Sequence, residues 1–294
     1  MSYLAGVFCQ TPANDDEAVT SPAKSFFKTS LSYLSNAVYQ GRKDSAVISY
    51  ITPSISYVNK SGWNLTASLS YAPNAGIKEI ELITLETGYE HKFNSSFSSN
   101  AYAAAYFYNQ FSSAVQSTKN AGVGVGIDYS PKDVLNLSAD VGMSVAKSPD
   151  IASSVSLGRP FYFGSTGHDW GIVPAAAIIA GTQEYYSGYY STVKFNQSIR
   201  AKQLAKRIAR GLINGGNSSS AKKITVVSGK NFSILDYELS VPVTYDEKRW
   251  GLFLTPIYAI PVHPLTYYEE GSATPITEKL TNSFYFTVGA YVKF

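Results

Sequence analysis

Residues 284–294 read Phe-Tyr-Phe-Thr-Val-Gly-Ala-Tyr-Val-Lys-Phe, and this stretch decides the fold. Alternate side chains fall into two sets. One set is apolar and comprises Phe284, Phe286, Val288, Ala290, Val292 and Phe294, whereas the other is mixed and comprises Tyr285, Thr287, Gly289, Tyr291 and Lys293. A period of two over this length predicts a β-strand with one apolar face. The stretch is also about as long as a tilted strand must be to cross a bilayer.

This final strand resembles the C-terminal strand of bacterial outer-membrane β-barrel proteins, in which a terminal Phe and alternate apolar positions are read by the barrel-insertion machinery. The resemblance implies a location in the bacterial outer membrane, with the insertion machinery and outer-membrane lipid as partners. It identifies no subfamily. It also implies that the insertion signal of this chain consists of Phe286, Val288, Ala290, Val292 and Phe294.

Composition is compatible with a membrane barrel. Charged residues make up 15% of the 294 residues, and aromatic residues make up 14%, whereas soluble domains carry about 25% charged residues. The chain has no run of 18 apolar residues, so a helical membrane protein is excluded. A chain of this kind in a membrane must form a closed barrel, because an open sheet edge leaves backbone groups unpaired in lipid.

The first residues, 1–24, are expected to be a residual signal or disordered segment. Residues 1–9 are short and apolar, and they resemble the tail of a secretory signal peptide with cleavage after Cys9. An ordinary disordered N-terminus is the alternative. Cys9 is the single cysteine, so no internal disulfide is expected. Residues 25–294 are predicted to form one barrel domain.

Alternating segments separated by turn residues predict about twelve strands in the barrel domain. They are 26–39, 46–58, 62–72, 82–93, 97–110, 120–130, 134–146, 151–163, 170–185, 231–244, 249–262 and 283–294. The last strand is expected to pair with the first. Turns at one end are short and connections at the other end are longer, as in an antiparallel up-and-down outer-membrane barrel. We therefore expect both termini to be periplasmic.

Aromatic residues near the short turns predict a girdle at one membrane interface. Its predicted members are Phe27, Tyr57, Trp63, Phe93, Tyr129, Tyr245, Trp250 and Phe294, and a looser opposite set comprises Tyr39, Tyr71, Tyr258 and Phe284. Prolines within predicted strands indicate bulges or gaps in the hydrogen-bond ladder. The glycines of 122–126 are expected to leave room for bulky side chains on the inward face.

Carboxylates outnumber amines at the positions assigned to the lumen. The lumen-lining candidates are Glu86, Glu90, Asp128, Asp140, Asp236 and Glu238, with Lys28 and Lys293 as inward cations. One interpretation is an acidic channel lining that favours cations. The alternative is that these carboxylates pair with basic groups from the loops, because unpaired charges in a confined interior are costly.

The longest connection, 187–230, is basic and is predicted to be extracellular. It carries nine basic residues and no acidic residue, and 198–213 is predicted to form one amphipathic helix. The basic face of that helix comprises Arg200, Lys202, Lys206, Arg207 and Arg210. Candidate partners are lipopolysaccharide phosphates, the acidic barrel mouth or an envelope protein. A solvated cap without a ligand is the alternative. Nucleic acid is not expected, because no aromatic stacking platform accompanies the charges.

Three functions from different classes remain. The favoured one is a narrow or occluded channel for small solutes or ions, and the alternative is a plugged structural or partner-binding barrel of an envelope complex. An outer-membrane hydrolase is the least supported, because none of His91, His168 and His263 has the serine two residues away that membrane phospholipases of this architecture use. No catalytic residue, metal ligand or cofactor is predicted.

Overall fold

The structure is a computed structural model, and it describes residues 24–43, 47–73, 80–109, 119–131, 134–145, 149–165, 168–183, 224–226, 231–269 and 273–294. The expected N-terminal segment lies outside these ranges apart from Lys24, and the predicted helix 198–213 lies outside them altogether. Within the described ranges, no helix is long and apolar enough to cross a membrane.

The described residues form twenty strands. They are β1 (Phe26–Leu34), β2 (Val38–Tyr39), β3 (Arg42–Lys43), β4 (Tyr50–Val58), β5 (Trp63–Tyr71), β6 (Ile80–Lys92), β7 (Phe97–Tyr108), β8 (Ala121–Tyr129), β9 (Asn136–Val145), β10 (Asp150–Gly158), β11 (Phe161–Ser165), β12 (His168–Ile172), β13 (Ala175–Gly181), β14 (Ile224–Val226), β15 (Ser233–Ser240), β16 (Val243–Glu247), β17 (Trp250–Pro261), β18 (Thr266–Glu269), β19 (Ile276–Thr277) and β20 (Ser283–Lys293).

The barrel wall is one closed antiparallel sheet. Neighbouring strands run in chain order from β1 through β4 to β10, then through β13, β15 and β17 to β20, which pairs back with β1. β11, β12 and β16 extend β10, β13 and β15 toward the same end of the barrel. Counted this way, the described wall has twelve strands, which confirms the predicted barrel and its pairing of the last strand with the first.

Proline interrupts three of the wall strands. Pro160, Pro174 and Pro242 each separate two segments of one strand, because a proline has no N–H to donate to the ladder. Beside these prolines the neighbouring wall strands remain joined by three backbone hydrogen bonds, from Arg159 N to Pro174 O (3.0 Å), from Val173 N to Pro242 O (2.9 Å) and from Val241 N to Pro256 O (3.2 Å). The expected ladder gaps are thus confirmed at these three prolines, and the pairing of β4 with β5 also skips Thr52 and Pro53, whereas Pro256 lies in a continuous strand.

The outward surface of the barrel is apolar. Its aromatic residues concentrate at the short-turn end, where the rings of Phe27 and Tyr57 lie 5.0 Å apart, those of Trp63 and Tyr89 5.0 Å, and those of Trp170 and Tyr245 4.9 Å. Six predicted girdle residues are strongly exposed: Phe27, Trp63, Phe93, Tyr129, Trp250 and Phe294. A water-facing barrel would bury such rings, so this surface is suited to a membrane interface.

The opposite aromatic set is only partly as predicted. Tyr258 and Phe284 face outward and are exposed, but Tyr39 is buried, with 6% of its surface exposed. The prediction for Tyr39 was wrong because β1 leaves the wall at Leu34 instead of continuing to residue 39. The chain then enters the barrel, where β2 and β3 pair with each other.

Inward glycines accommodate tyrosine rings that lie along the wall. A Cβ atom on Gly124 would approach Tyr102 Cε1 to 2.5 Å, and one on Gly142 would approach the Tyr102 hydroxyl to 2.8 Å. Tyr106 lies over Gly122 in the same way, with its hydroxyl 3.2 Å from a Cβ built there. This confirms the expectation that the glycines of 122–126 leave space for bulky inward side chains.

Candidate functional site

The lumen contains a segment that the sequence had placed partly in the wall. We call residues 35–43 the plug hairpin. Ser35 still bonds to the wall, since its N donates to Phe286 O at 2.9 Å and its Oγ accepts from Phe286 N at 2.8 Å. Beyond it, Ala37 N donates to Ile48 O at 2.7 Å and Ile48 N donates to Asn36 Oδ1 at 3.2 Å. These bonds direct the chain inward.

The tip of the plug hairpin is a tight turn. Gln40 and Gly41 have φ angles of 49° and 73°, and two successive positive φ values are typical of the two-residue turn of a β-hairpin. A Cβ atom on Gly41 would lie 2.7 Å from Asp236 Cγ and 2.9 Å from Pro261 Cβ. Only glycine therefore allows the tip to approach the wall this closely.

Apolar packing fixes the hairpin against one side of the barrel. Val38 forms a buried cluster with Ile257, Ala259 and Tyr285, and Leu34 packs against it. Val38 and Arg42 are 2% and 3% exposed. A side chain on a hairpin protruding into solvent would be far more exposed, so the hairpin occupies the interior of the barrel.

Arg42 links the plug hairpin to three other segments. Its Nε donates to Glu278 Oε2 at 3.2 Å, forming an ion pair, and its Nη2 donates to the backbone carbonyl of His263. With the Gln183 carboxamide oxygen turned toward the guanidinium, that oxygen accepts from Nη1 at 2.7 Å and from Nη2 at 2.8 Å. Glu278 also accepts from Leu265 N at 3.1 Å. Because the guanidinium is buried, these bonds hold it much more strongly than a surface ion pair would.

A second cation contacts the hairpin from another side of the lumen. Lys119, which precedes β8, donates to the Tyr39 hydroxyl, and its Nζ lies 3.9 Å from the centroid of the Tyr39 ring. Burial lowers the pKa of Lys119 to about 7, and the nearby Asp150 carboxylate partly opposes this shift. Asp150 is itself buried and accepts from Thr182 Oγ1 at 2.9 Å. Residues that approach from several strands therefore support the hairpin.

Four of the lumen-lining candidates lie below the hairpin on one side of the barrel, and we call them the wall carboxylates. They are half-buried and occupy inward positions on three strands of that side, Glu86 and Glu90 on β6, Asp128 on β8 and Asp140 on β9. Asn100 Nδ2 donates to Asp128 Oδ2 at 3.3 Å. Tyr102 lies between Glu86 and Asp140, close enough for both carboxylates to act on it electrostatically.

The other two candidates, Asp236 and Glu238, form what we call the covered pair. Both lie on the inward face of β15, where Asp236 is 0% and Glu238 4% exposed. Leu235 and Asp236 are both buried because the ladder between β13 and β15 shifts by one residue there. Tyr285 donates its hydroxyl to Glu238 Oε1 at 3.0 Å. The plug hairpin thus separates these two carboxylates from the open part of the lumen.

Basic groups face the lumen on the seam of the barrel. Lys28 and Lys293 are directly opposite each other in the ladder between β1 and β20. Their Nζ atoms lie 5.6 Å and 5.1 Å from the centroid of the Tyr291 ring. Strand order places this seam across the barrel from β8 and β9, which carry Asp128 and Asp140. Asp246, on the inward face of β16, is close enough to interact electrostatically with both lysines, so the seam combines cations with a carboxylate, whereas Asp128 and Asp140 lie across the lumen from it.

The remaining predicted residues lie outside the lumen or outside the described chain. The predicted insertion signal occupies the outward face of β20, where Val288, Val292 and Phe294 are 38%, 41% and 74% exposed. Phe286 and Ala290 share that face. The basic helix residues lie outside the described residues, namely Arg200, Lys202, Lys206, Arg207 and Arg210.

Sequence reasoning missed the residues that hold the plug hairpin. Arg42 and Lys119 were assigned to loops, and Gln40 and Glu278 were given no role. The alternation of Val38 and Tyr39 matches a continuing wall strand, so periodicity could not distinguish the wall from an inward hairpin. Gly41 was the one available signal, because a glycine preceded by a polar residue favours a tight turn.

Known proteins resemble this chain only weakly. No family model matches the chain, and no curated protein matches it. Among solved structures, the chain is similar to one described as KdgM porin, with a TM-score of 0.44 and 10% identity, covering 92% of this chain and 99% of that one. A NanC porin structure has a TM-score of 0.45 and 10% identity, covering 91% of this chain and 100% of that one. These low scores leave the function to be inferred from the residues of this chain.

Proposed function

We propose that the chain is an outer-membrane channel for small solutes or ions, narrowed at its long-loop end by the plug hairpin. The observation that carries this proposal is the contrast between the two faces of the barrel. The outward face is apolar with an aromatic girdle, whereas the inward face carries carboxylates, amines and hydroxyls. A barrel with a polar interior and an apolar exterior is suited to conducting polar solutes through lipid.

The wall carboxylates give this channel a preference for cations. Glu86, Glu90, Asp128 and Asp140 are half-buried inside the lumen, and among the described residues only Glu90 lies within 4.0 Å of a cationic nitrogen, that of Lys92. Rings and walls of carboxylates favour cations in channels. Lys28 and Lys293 lie across the lumen, so a permeating solute would pass both the negative carboxylates and these positive amines.

Location and partners follow from the same reasoning. The termini lie at the short-turn end of the barrel, which we assign to the periplasm because outer-membrane barrels place their short turns there. The outward face of β20 is the candidate insertion signal. The basic connection 187–230 is then extracellular, where its positive charges are suited to lipopolysaccharide phosphates.

Conductance in planar bilayers tests the channel. The natural chain should give small cation-selective steps, and a variant in which residues 38–43 are replaced by two glycines should conduct several-fold more. Lys43→Ala is the matched control, since Lys43 is exposed at the end of the hairpin, and it should conduct like the natural chain. Both variants must show the heat-dependent gel migration of a folded barrel.

A plugged structural barrel is the second candidate, and the burial and fixed contacts of Arg42 favour it. The same recordings separate the two functions. If neither the natural chain nor the folded hairpin variant conducts, the channel proposal is wrong and the barrel is an anchor. If only the hairpin variant conducts, the natural chain is an occluded channel.

A further inference from the structure

Tyr102 presents an aromatic surface to the open part of the lumen. It lies on the inward face of β7, directly opposite Gly88 of β6 and Gly124 of β8. Its ring covers Gly124, where a Cβ atom would lie 2.5 Å from Cε1 and 2.6 Å from Cζ, and its hydroxyl would lie 2.8 Å from a Cβ atom on Gly142 of β9. The glycines let the ring lie against the wall, and the half-buried side chain keeps its other surface toward the lumen.

Two wall carboxylates lie at opposite edges of this ring. The Oδ1 of Asp140 on β9 lies over Gly126, the next inward position on β8 toward the short-turn end. Successive inward positions are about 7 Å apart along a strand. Glu86 on β6 is opposite Ala104, the next inward position on β7 toward the long-loop end. Both carboxylates act electrostatically on Tyr102, so the ring has a negative charge on each side along the lumen.

Other inward tyrosines face cations of the chain itself. The Tyr291 ring faces two lysine amines, at 5.6 Å and 5.1 Å, and the Tyr39 ring faces the Lys119 amine at 3.9 Å. Among the described residues, no lysine or arginine nitrogen lies over the Tyr102 ring or within 4.0 Å of its two neighbouring carboxylates. The surface over Tyr102 is therefore accessible to a cation that arrives through the lumen.

The combination of ring and carboxylates favours one kind of cation. Hard metal ions prefer oxygen ligands and retain much of their water, so an aromatic face adds little to their binding. An alkylated ammonium group carries positive charge on an apolar surface, and aromatic faces bind such groups through the negative potential of the ring. The two carboxylates add attraction over a longer range, because a low-dielectric wall focuses their field into the lumen. A neutral solute would stack on the ring without gaining from these charges.

We propose that Tyr102, Glu86 and Asp140 form a binding position for small organic cations that carry an alkylated ammonium group. This inference rests on the proposed channel function and names one class of solute for it. The plug hairpin packs against β17 and β20 through Ile257 and Tyr285, and β7 is directly across the barrel from β17 in strand order. A solute that passes the hairpin therefore moves along the wall that carries Tyr102.

Ligand-observed NMR with choline chloride tests the position on the purified full chain. A maltoside detergent is required, because it carries no ammonium group of its own. Saturation-transfer signals of the choline methyl protons should reach a plateau, with a dissociation constant in roughly the millimolar range, because a single ring contributes modestly. The neutral carbon analogue of choline, with a tert-butyl group in place of the trimethylammonium group, should bind at least about five-fold more weakly.

Substitutions separate the ring from the charges around it. Tyr102→Leu removes the ring and should weaken choline binding about five-fold, whereas Tyr102→Phe keeps the ring and should retain most of the affinity. Tyr291→Leu is the matched control, since that ring also covers an inward glycine, with its Cζ 2.5 Å from a Cβ atom on Gly251, and it should leave choline binding unchanged. Glu86→Gln combined with Asp140→Asn should weaken binding several-fold and tests the position if Tyr102→Leu does not fold.

Three results would overturn the inference. The first is the absence of saturable choline binding to the natural chain. The second is equal affinity for choline and its neutral analogue, which would indicate apolar contact alone. The third is an unchanged affinity in folded Tyr102→Leu, or an equal loss in Tyr102→Leu and Tyr102→Phe, which would show that the ring face is not the contact. Binding of choline without conductance would contradict only the channel proposal, and conductance without choline binding would contradict only this inference.

Discussion

The covered pair and the wall carboxylates occupy equivalent positions in the strand alternation, but their environments differ. Asp236 and Glu238 are 0% and 4% exposed, whereas Asp128 and Asp140 are half-buried in the open part of the lumen. Both groups face inward, so strand parity alone cannot distinguish them. The plug hairpin makes the difference, because its tip at Gly41 packs directly against Asp236.

This difference indicates separate roles for the two groups. A carboxylate that faces an open lumen remains hydrated and can attract passing cations. A carboxylate under a packed hairpin loses its hydration, so it needs a fixed neutralising partner. In the proposed channel the wall carboxylates would set ion selectivity, whereas Asp236 of the covered pair lies where the tip of the hairpin meets β15.

Removal of Arg42 has the largest expected effect. It should release the plug hairpin and so expose the covered pair to the lumen, as the wall carboxylates already are. Arg42→Ala deletes the buried ion pair with Glu278, and breaking such a pair costs about 3–5 kcal/mol because the remaining charge is left uncompensated. We expect the hairpin to leave the lumen and the single-channel conductance to rise several-fold.

Thermal unfolding in detergent, followed by circular dichroism, measures the stability change in Arg42→Ala. Lys43→Ala is the matched control, since it removes an adjacent positive charge that is exposed. Unchanged conductance together with unchanged stability would show that apolar packing around Val38, rather than Arg42, holds the hairpin.

The wall could be predicted from the sequence because lipid imposes a regular pattern on it. Every wall strand must present apolar side chains outward, so β8 and β9 were recognisable from alternation alone. The gaps at Pro160, Pro174 and Pro242 were also foreseeable, because a missing N–H has the same effect in any ladder. The turn residues in the sequence predicted the strand ends to within a few positions of those observed.

The plug hairpin could not be predicted in the same way. Val38 and Tyr39 continue the alternation of β1, but Val38 is buried against residues more than 200 positions away, such as Ile257, and Tyr39 contacts Lys119, which is 80 positions away. The partner of Arg42 is equally remote, since Glu278 precedes the last strand. The six lumen-lining candidates were identified from the sequence as a set, but their division into covered and open groups depends on the hairpin.

Neutralising the wall carboxylates should produce the second largest effect. Asp128→Asn combined with Asp140→Asn removes two charges from the open lumen while preserving side-chain volume. We expect the ratio of potassium to chloride permeability to fall about two-fold, because confined charges of this kind bias ion occupancy.

Reversal potentials in a salt gradient measure this ratio. Glu247→Gln is the control, since this carboxylate accepts from the Tyr245 hydroxyl at the outer edge of the short-turn end, and its removal should not change selectivity. A fall of the same size in both variants would show that the overall charge of the barrel, and not the lumen lining, sets the preference.

The smallest effect concerns Lys119, through which pH should regulate how firmly the hairpin covers the pair. Burial lowers the pKa of Lys119 from the ordinary lysine value of 10.5 to about 7 in the closed state, and release of Tyr39 would return the pKa toward 10.5. The released state therefore binds more protons between these values, so rising pH favours the closed state. The ratio of open to closed channels should fall by at most about tenfold per pH unit above pH 7. Recordings of Lys119→Met should show a flatter profile, and an unchanged slope would place the pH dependence elsewhere.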